Sequence, residues 1–186
     1  MDKPDTSDTP VPRRPWRGRL CFYHPTNSGS GAAARLEFHA ASPEREGCFF
    51  LEMARQKTAA ARGADGKTCA TFDWENKAIV KLGFPDVCGL LQVLEGRCDQ
   101  AGNGRGLFHD TAEANTVINL RHQAEPAGYA LEISRKCKRA NAEVQRTRVL
   151  LSENEGLGMR CIFQSAMLPM VYGADAPVRS VPQTTG

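Results

Sequence analysis

From Phe72 to Leu82 the side chains alternate. Phe72, Trp74, Asn76, Ala78, Val80 and Leu82 fall on one side, and Asp73, Glu75, Lys77, Ile79 and Lys81 on the other. A period of two predicts a strand with one face toward a core and one toward solvent. Beyond Gly83 the period lengthens, since Val87, Leu90, Leu91 and Leu94 stand at i, i+3, i+4 and i+7, the spacing of one helical face. A helix is therefore predicted from Pro85 to Glu95: Pro85 suits a first turn, Asp86 the positive end of the dipole, and Gly96 stops it.

The same reading extends in both directions. Leu20 to His24, Ala32 to Ala40 and Cys48 to Met53 read as strands, parted by the turn-forming segments Pro25 to Gly31 and Pro43 to Gly47. Residues 55 to 68, rich in Ala, Gly and Lys, read as a mobile loop. Further along, Gly106 to Asp110, Asn115 to His122, Tyr129 to Ser134 and Val144 to Leu151 are predicted strands, with Arg135 to Ala142 as a basic turn or hairpin tip. Ser152 stands three residues before Glu155, a capping box. It opens a helix whose apolar positions include Leu157, Cys161, Ile162, Ala166 and Met170, and which Pro169 should kink or close. Four strands and a helix thus occur twice. The fold class is α+β, two four-stranded antiparallel sheets with two helices, the halves alike in element order and not in sequence.

Residues 1 to 18, with four prolines and the cluster Arg13-Arg14-Pro15-Trp16-Arg17, and residues 174 to 186 are expected to be disordered tails around a single domain at 19 to 173. The net charge of +3 admits a nucleic-acid partner without requiring one. Seven cysteines, an odd number without CxxC spacing, read as reduced and mostly buried. Together with four dispersed histidines they announce no metal site, and no cofactor is implied. No stretch reaches the roughly 18 apolar residues of a membrane span, and the acidic opening resembles neither a secretory signal nor an organelle presequence. The expectation is a bacterial cytoplasmic protein, nucleoid association included.

Several segments carry a resemblance. They are Gly29-Ser30-Gly31-Ala32-Ala33-Ala34-Arg35-Leu36-Glu37-Phe38, Gly47 to Ala54, Phe72-Asp73-Trp74-Glu75-Asn76-Lys77, Leu107-Phe108-His109-Asp110, Gly128-Tyr129, and the closing helix from Arg160 to Gly173. In joint order and spacing, from Leu20 to Gly173, the chain resembles the Whirly family of single-stranded DNA-binding proteins, itself similar in architecture to kinetoplastid guide-RNA-binding proteins. The resemblance implies two antiparallel four-stranded sheets, helices packed at the centre of a homotetramer, and single-stranded DNA as partner, with RNA as the alternative. The family's Lys-Gly-Lys-Ala-Ala-Leu signature is not reproduced. Ser30-Gly31-Ala32 stand at its lysines and glycine, which puts in question the backbone contact and higher-order assembly associated with it, although Arg35 stands near enough to replace part of the charge.

Sequence-tolerant binding of single strands needs aromatic faces for bases and cations for phosphates. Trp74 is the first candidate platform, followed by Phe72, Phe50, Phe108 and Tyr129, each of which could instead fill the core. Lys77, Lys81, Arg35, Arg121 and Arg135 project from predicted strands and could position phosphates, or could simply form a solvated face. Arg135, Lys136, Lys138 and Arg139 form the densest basic cluster. His109-Asp110 suggests a base-orienting pair, yet no nucleophile elbow, Walker loop or paired-carboxylate motif accompanies it, so no catalysis is expected. The alternatives are an RNA-annealing chaperone and an oligomeric transcription factor or scaffold acting through protein contacts.

Overall fold

A computed structural model describes residues 18–63, 68–139 and 141–174. The expected tails, with the Arg13 to Arg17 cluster, lie outside the described residues apart from Gly18 and Ala174 at their inner ends. Strands β1 (Arg19–His24), β2 (Ala32–His39), β3 (Cys48–Arg55) and β6 (Ala78–Leu82) form one antiparallel sheet in the order β1-β2-β3-β6. A two-stranded hairpin, β4 (Ala61–Arg62) with β5 (Thr68–Cys69), interrupts it where a loop is predicted. Helix α1 (Phe84–Leu94) leads to β7 (Leu107–Asp110), β8 (Ala114–Gln123), β9 (Gly128–Cys137) and β10 (Val144–Ser152), a second antiparallel sheet in the order β10-β9-β8-β7. Helix α2 (Glu153–Tyr172) closes the fold.

The predicted strand from Phe72 is only half a strand. Asp73 accepts hydrogen bonds from the Asn76 backbone N–H at 3.2 Å and side-chain amide at 2.9 Å, turning the chain before the ladder begins at Ala78. Asp and Asn offer the backbone a local alternative to sheet pairing, and the alternation could not reveal it. From Ala78 onward the reading holds: Val80 and Leu82 are buried, Ile79 and Lys81 exposed. The other shift lies at Arg135 to Cys137, predicted as a turn and found in β9, because β9 pairs with both neighbours along its length.

Helix α2 ties the layers together. Met159, Phe163, Ala166 and Met170 are buried at i, i+4, i+7 and i+11, the Phe163 ring meeting Phe49 of the first sheet with centroids 5.0 Å apart. Gly156 lies so close to the Tyr129 ring of the second sheet that a Cβ would overlap it. Leu157, Cys161 and Ile162, expected among the packed positions, are exposed: the helix is apolar on more than one side, and one chain covers a single face. Pro169 does not end it. The helix runs on to Tyr172, and the Pro169 and Met170 carbonyls accept from the N–H groups of Ala41 at 3.0 Å and Gly47 at 3.2 Å. All seven cysteines are free and only Cys48 is fully buried, a correction to the expected burial; thiols on alternating strands follow the strand face rather than their own hydrophobicity.

Three histidines meet carboxylates in the first turns of the helices. His24 lies 3.0 Å from Glu155, His122 3.3 Å from Glu153, and His109 3.0 Å from Asp86. The Asp86 carboxylate also accepts from the Gly83 N–H at 2.9 Å, at the start of α1.

The capping box at Ser152 is present, the Ser152 hydroxyl accepting from the Glu155 N–H. Ser152→Ala should lower the unfolding free energy by about 1 kcal/mol, measured by urea denaturation. Partial burial pushes the Glu155 carboxyl up, but the Ser152 N–H and hydroxyl and the His24 ring outweigh it and hold the group below its ordinary value. A depressed carboxyl contributes stability that is present above the unfolded-state pKa and lost as pH falls through the folded-state one. Glu155→Gln should therefore be less stable than the parent at neutral pH, with the gap closing under acid.

Candidate nucleic-acid interface

The register of the first sheet sets its outer face in rows. Arg19, Glu37, Phe50 and Lys81 are neighbours across β1, β2, β3 and β6; Cys21, Arg35, Glu52 and Ile79 form the next row; Tyr23, Ala33 and Ala54 the third. Ala33 and Ala54 are buried although they point away from the core. The turn that breaks the predicted strand accounts for this. It folds Phe72 and Trp74 back over the sheet, where Asp73 N–H donates to the Arg55 carbonyl at 2.8 Å.

Tyr23, Phe72 and Trp74 make one aromatic cluster, with Tyr23 5.6 Å from Phe72 and edge-on to Trp74 at 6.4 Å. The Arg35 guanidinium lies 3.3 Å from the Trp74 ring centroid, a cation–π contact that occupies one indole face. Glu52 stands between two cations, with Lys77 Nζ at 2.6 Å and Arg35 Nη1 at 3.9 Å. Arg35 Nε is buried without a hydrogen-bond partner among the described residues. Tyr23 is the ring that stands out, 51% exposed. Partial burial and the neighbouring Cys21 push its phenol up, with Arg35 opposing, so it remains neutral at physiological pH. Phe50 is half-buried and meets His39 edge-on at 5.1 Å, beside exposed Lys81.

The structure thus brings Arg35, Phe50, Phe72, Trp74, Lys77 and Lys81 to one sheet face and leaves the other candidates on the second sheet. Phe108 is 62% exposed on its edge strand β7. Arg121 is exposed on β8. Tyr129 faces inward beneath α2, its ring covered by Gly156 and His122, and presents no free face. Arg135 lies 3.9 Å from Glu113, and Lys138 pairs with Asp110 at 2.5 Å, so the basic cluster is partly balanced. The His109-Asp110 pair does not form, since His109 turns to Asp86. Among the described residues no group of three or more His, Cys, Asp or Glu is placed to hold a metal ion, and no helix is long and apolar enough to cross a membrane.

Tyr23 and Gln56 escaped the reading from sequence. Tyr23 could have been found from the parity of its strand, which sends Phe22 inward and the next residue out. Gln56 carries no sequence signal. Only 8% exposed, it accepts from the Thr26 and Gly31 N–H groups at 2.8 and 2.9 Å and donates to the Thr26 and Thr58 carbonyls at 2.9 and 2.7 Å. It also forms an isolated bridge with Phe72. One amide side chain therefore holds the β1–β2 turn beside the aromatic cluster.

No protein-family model matches the sequence, and no curated protein matches it. Solved structures do. That of WHY1 from Arabidopsis thaliana aligns with a TM-score of 0.67 at 14% identity, over 87% of this chain and 89% of that one. The plant transcriptional regulator PBF-2 aligns at 0.61 and 16% identity, over 83% and 82%, and WHY3 from Arabidopsis thaliana at 0.61 and 17%, over 88% and 92%. These are Whirly proteins, and this chain has their fold.

Gln56→Leu would leave buried backbone groups of the turn without partners, each at a cost of about 1–3 kcal/mol. The variant should melt well below the parent, and amide exchange should rise first at Thr26 and Gly31.

Proposed function

We propose that the chain binds single-stranded nucleic acid, DNA in preference to RNA, over the outer face of the first sheet, as a homotetramer and without catalysis. The observation that carries this reading is the cluster of Tyr23, Phe72 and Trp74 with Arg35 on the indole. It sets rings and a cation side by side on an open sheet surface, the combination that stacks bases and holds a backbone without reading sequence. The fold shared with WHY1 supports it, and the likeness to PBF-2, a transcriptional regulator, makes regulation of transcription the process to test first.

Assembly is supported by α2. Leu157, Cys161, Leu168, Val171 and Tyr172 are exposed on the side opposite its buried residues, an apolar stripe of the kind that a second copy covers.

Anisotropy of a labelled oligothymidine of about 30 nucleotides should show tight, salt-sensitive binding that duplex DNA does not compete away and that matched RNA competes weakly. Trp74→Ala should cost about 1–3 kcal/mol for every sequence alike. Lys81→Ala should reduce the salt slope by about 0.7, the single-strand value for one phosphate. Lys77→Ala, which removes a cation already balanced by Glu52, should reduce it less. No binding at low salt would sink the proposal. For assembly, Leu168→Glu should convert the tetramer into smaller species in sedimentation velocity; an unchanged tetramer would move the interface elsewhere.

A further inference from the structure

Tyr23 stands between two cavities of contrasting chemistry. On one side a space of about 630 Å³ is walled by Phe72, Trp74, Cys69, Ala70 and Thr71. On the other a space of about 530 Å³ is walled by His24, Thr26, Ser30 and Gly31 from the first sheet and by Arg148 and Leu150 from β10 of the second. Tyr23 and Pro25 line both, and both volumes fall within the range of small-ligand sites.

The second cavity has the character of an anion subsite. Arg148 is its cation, and no carboxylate lines it among the described residues. Thr26 and Ser30 bring hydroxyls to its wall, and Ser28 outside it completes a knot: Thr26 Oγ1 lies 3.1 Å from Ser28 Oγ and 3.2 Å from Ser30 Oγ, and the two serine hydroxyls are 2.8 Å apart. Each hydroxyl both donates and accepts and can rotate, so the knot can turn donors toward an arriving oxygen. Glu132, opposite Arg148 in the β9–β10 register, accepts from the Ser134 hydroxyl at 3.1 Å, and Glu155 is engaged by His24 and Ser152. The position of Arg148 is not left to a floppy edge. Arg55 of β3 donates twice to the Arg146 carbonyl, at 3.1 and 2.7 Å, clasping β10 to the first sheet, and Arg148 itself donates to Gln123 at 3.2 Å. Gly31 is required here, because a Cβ would overlap the His24 carbonyl and the Gln56 amide.

We propose that Tyr23 is the ridge of a bipartite nucleotide subsite: a base stacks on its aromatic side, and the adjoining phosphodiester lies in the seam between the sheets, against Arg148 and the Thr26 and Ser30 hydroxyls. This rests on the single-strand reading and extends it, since the track leaves the face of the first sheet and engages the second sheet of the same subunit. The missing lysines of the Lys-Gly-Lys signature fall in this turn. The anion-binding chemistry is supplied instead by hydroxyls and by an arginine from the other half of the chain.

The test is a salt series of oligothymidine anisotropy on the full chain, with thermal midpoints to show that each variant is folded. Arg148→Ala and Arg148→Gln should each lower the salt slope by about 0.7, while Arg97→Ala, outside both cavities, should leave it unchanged. Tyr23→Ala should weaken binding at least fivefold at every salt concentration without changing the slope, and Tyr23→Phe should retain the parent affinity. A parent chain that fails to bind overturns the single-strand reading and this inference together. A parent that binds, with the Arg148 slopes or the Tyr23→Ala affinity unchanged, overturns this inference alone.

Discussion

The close seating of α2 against both sheets is the constraint on which the rest of the structure depends. Phe163 packs edge-on against Phe49 of one sheet, and Gly156 admits the Tyr129 ring of the other. The ends of the helix are used as well. Its first-turn carboxylates meet His24 and His122, and its last carbonyls serve the turn at Ala41 to Gly47. Interiors at crystal-like density transmit such constraints because little can relax. With α2 in place, the sheets have one relative setting, and the seam beside β10 is defined.

A second constraint shapes the surface. The Asp73–Asn76 turn breaks the alternation before the ladder begins at Ala78, and Phe72 and Trp74 join Tyr23 in one aromatic cluster. Aromatic surface held rigidly in this way loses little conformational entropy when a flat ligand stacks on it. The buried Gln56 amide holds the adjoining turn by the same logic, as a satisfied polar group in a place where an unsatisfied one would be costly.

The electrostatics are restrained. Lys77 and Arg35 share Glu52, Arg19 pairs with Glu37, Arg135 faces Glu113, and Lys138 pairs with Asp110. A net charge of +3 distributed in this way gives a weak general field.

Period and cap made much of this fold readable in the sequence alone. The alternation in β2, β8 and β9, the helical spacing of Val87, Leu90, Leu91 and Leu94, and the Ser152–Glu155 box all appear in the structure, because each is a local pattern imposed by backbone geometry. Residue type marked Trp74 and Phe72 as candidate stacking rings and Arg35 and Lys77 as candidate cations. What these signals did not contain was which side chains would share Glu52, that Arg35 would cover a face of Trp74, that Tyr129 would face α2, or that His109 would choose Asp86 over its neighbour. Those depend on contacts between residues far apart in the chain. Gln56 gained its place from the turn it fills, and Arg148 only when β10 came against the first sheet, since a side chain's partners across a seam are set by packing, which no local period records.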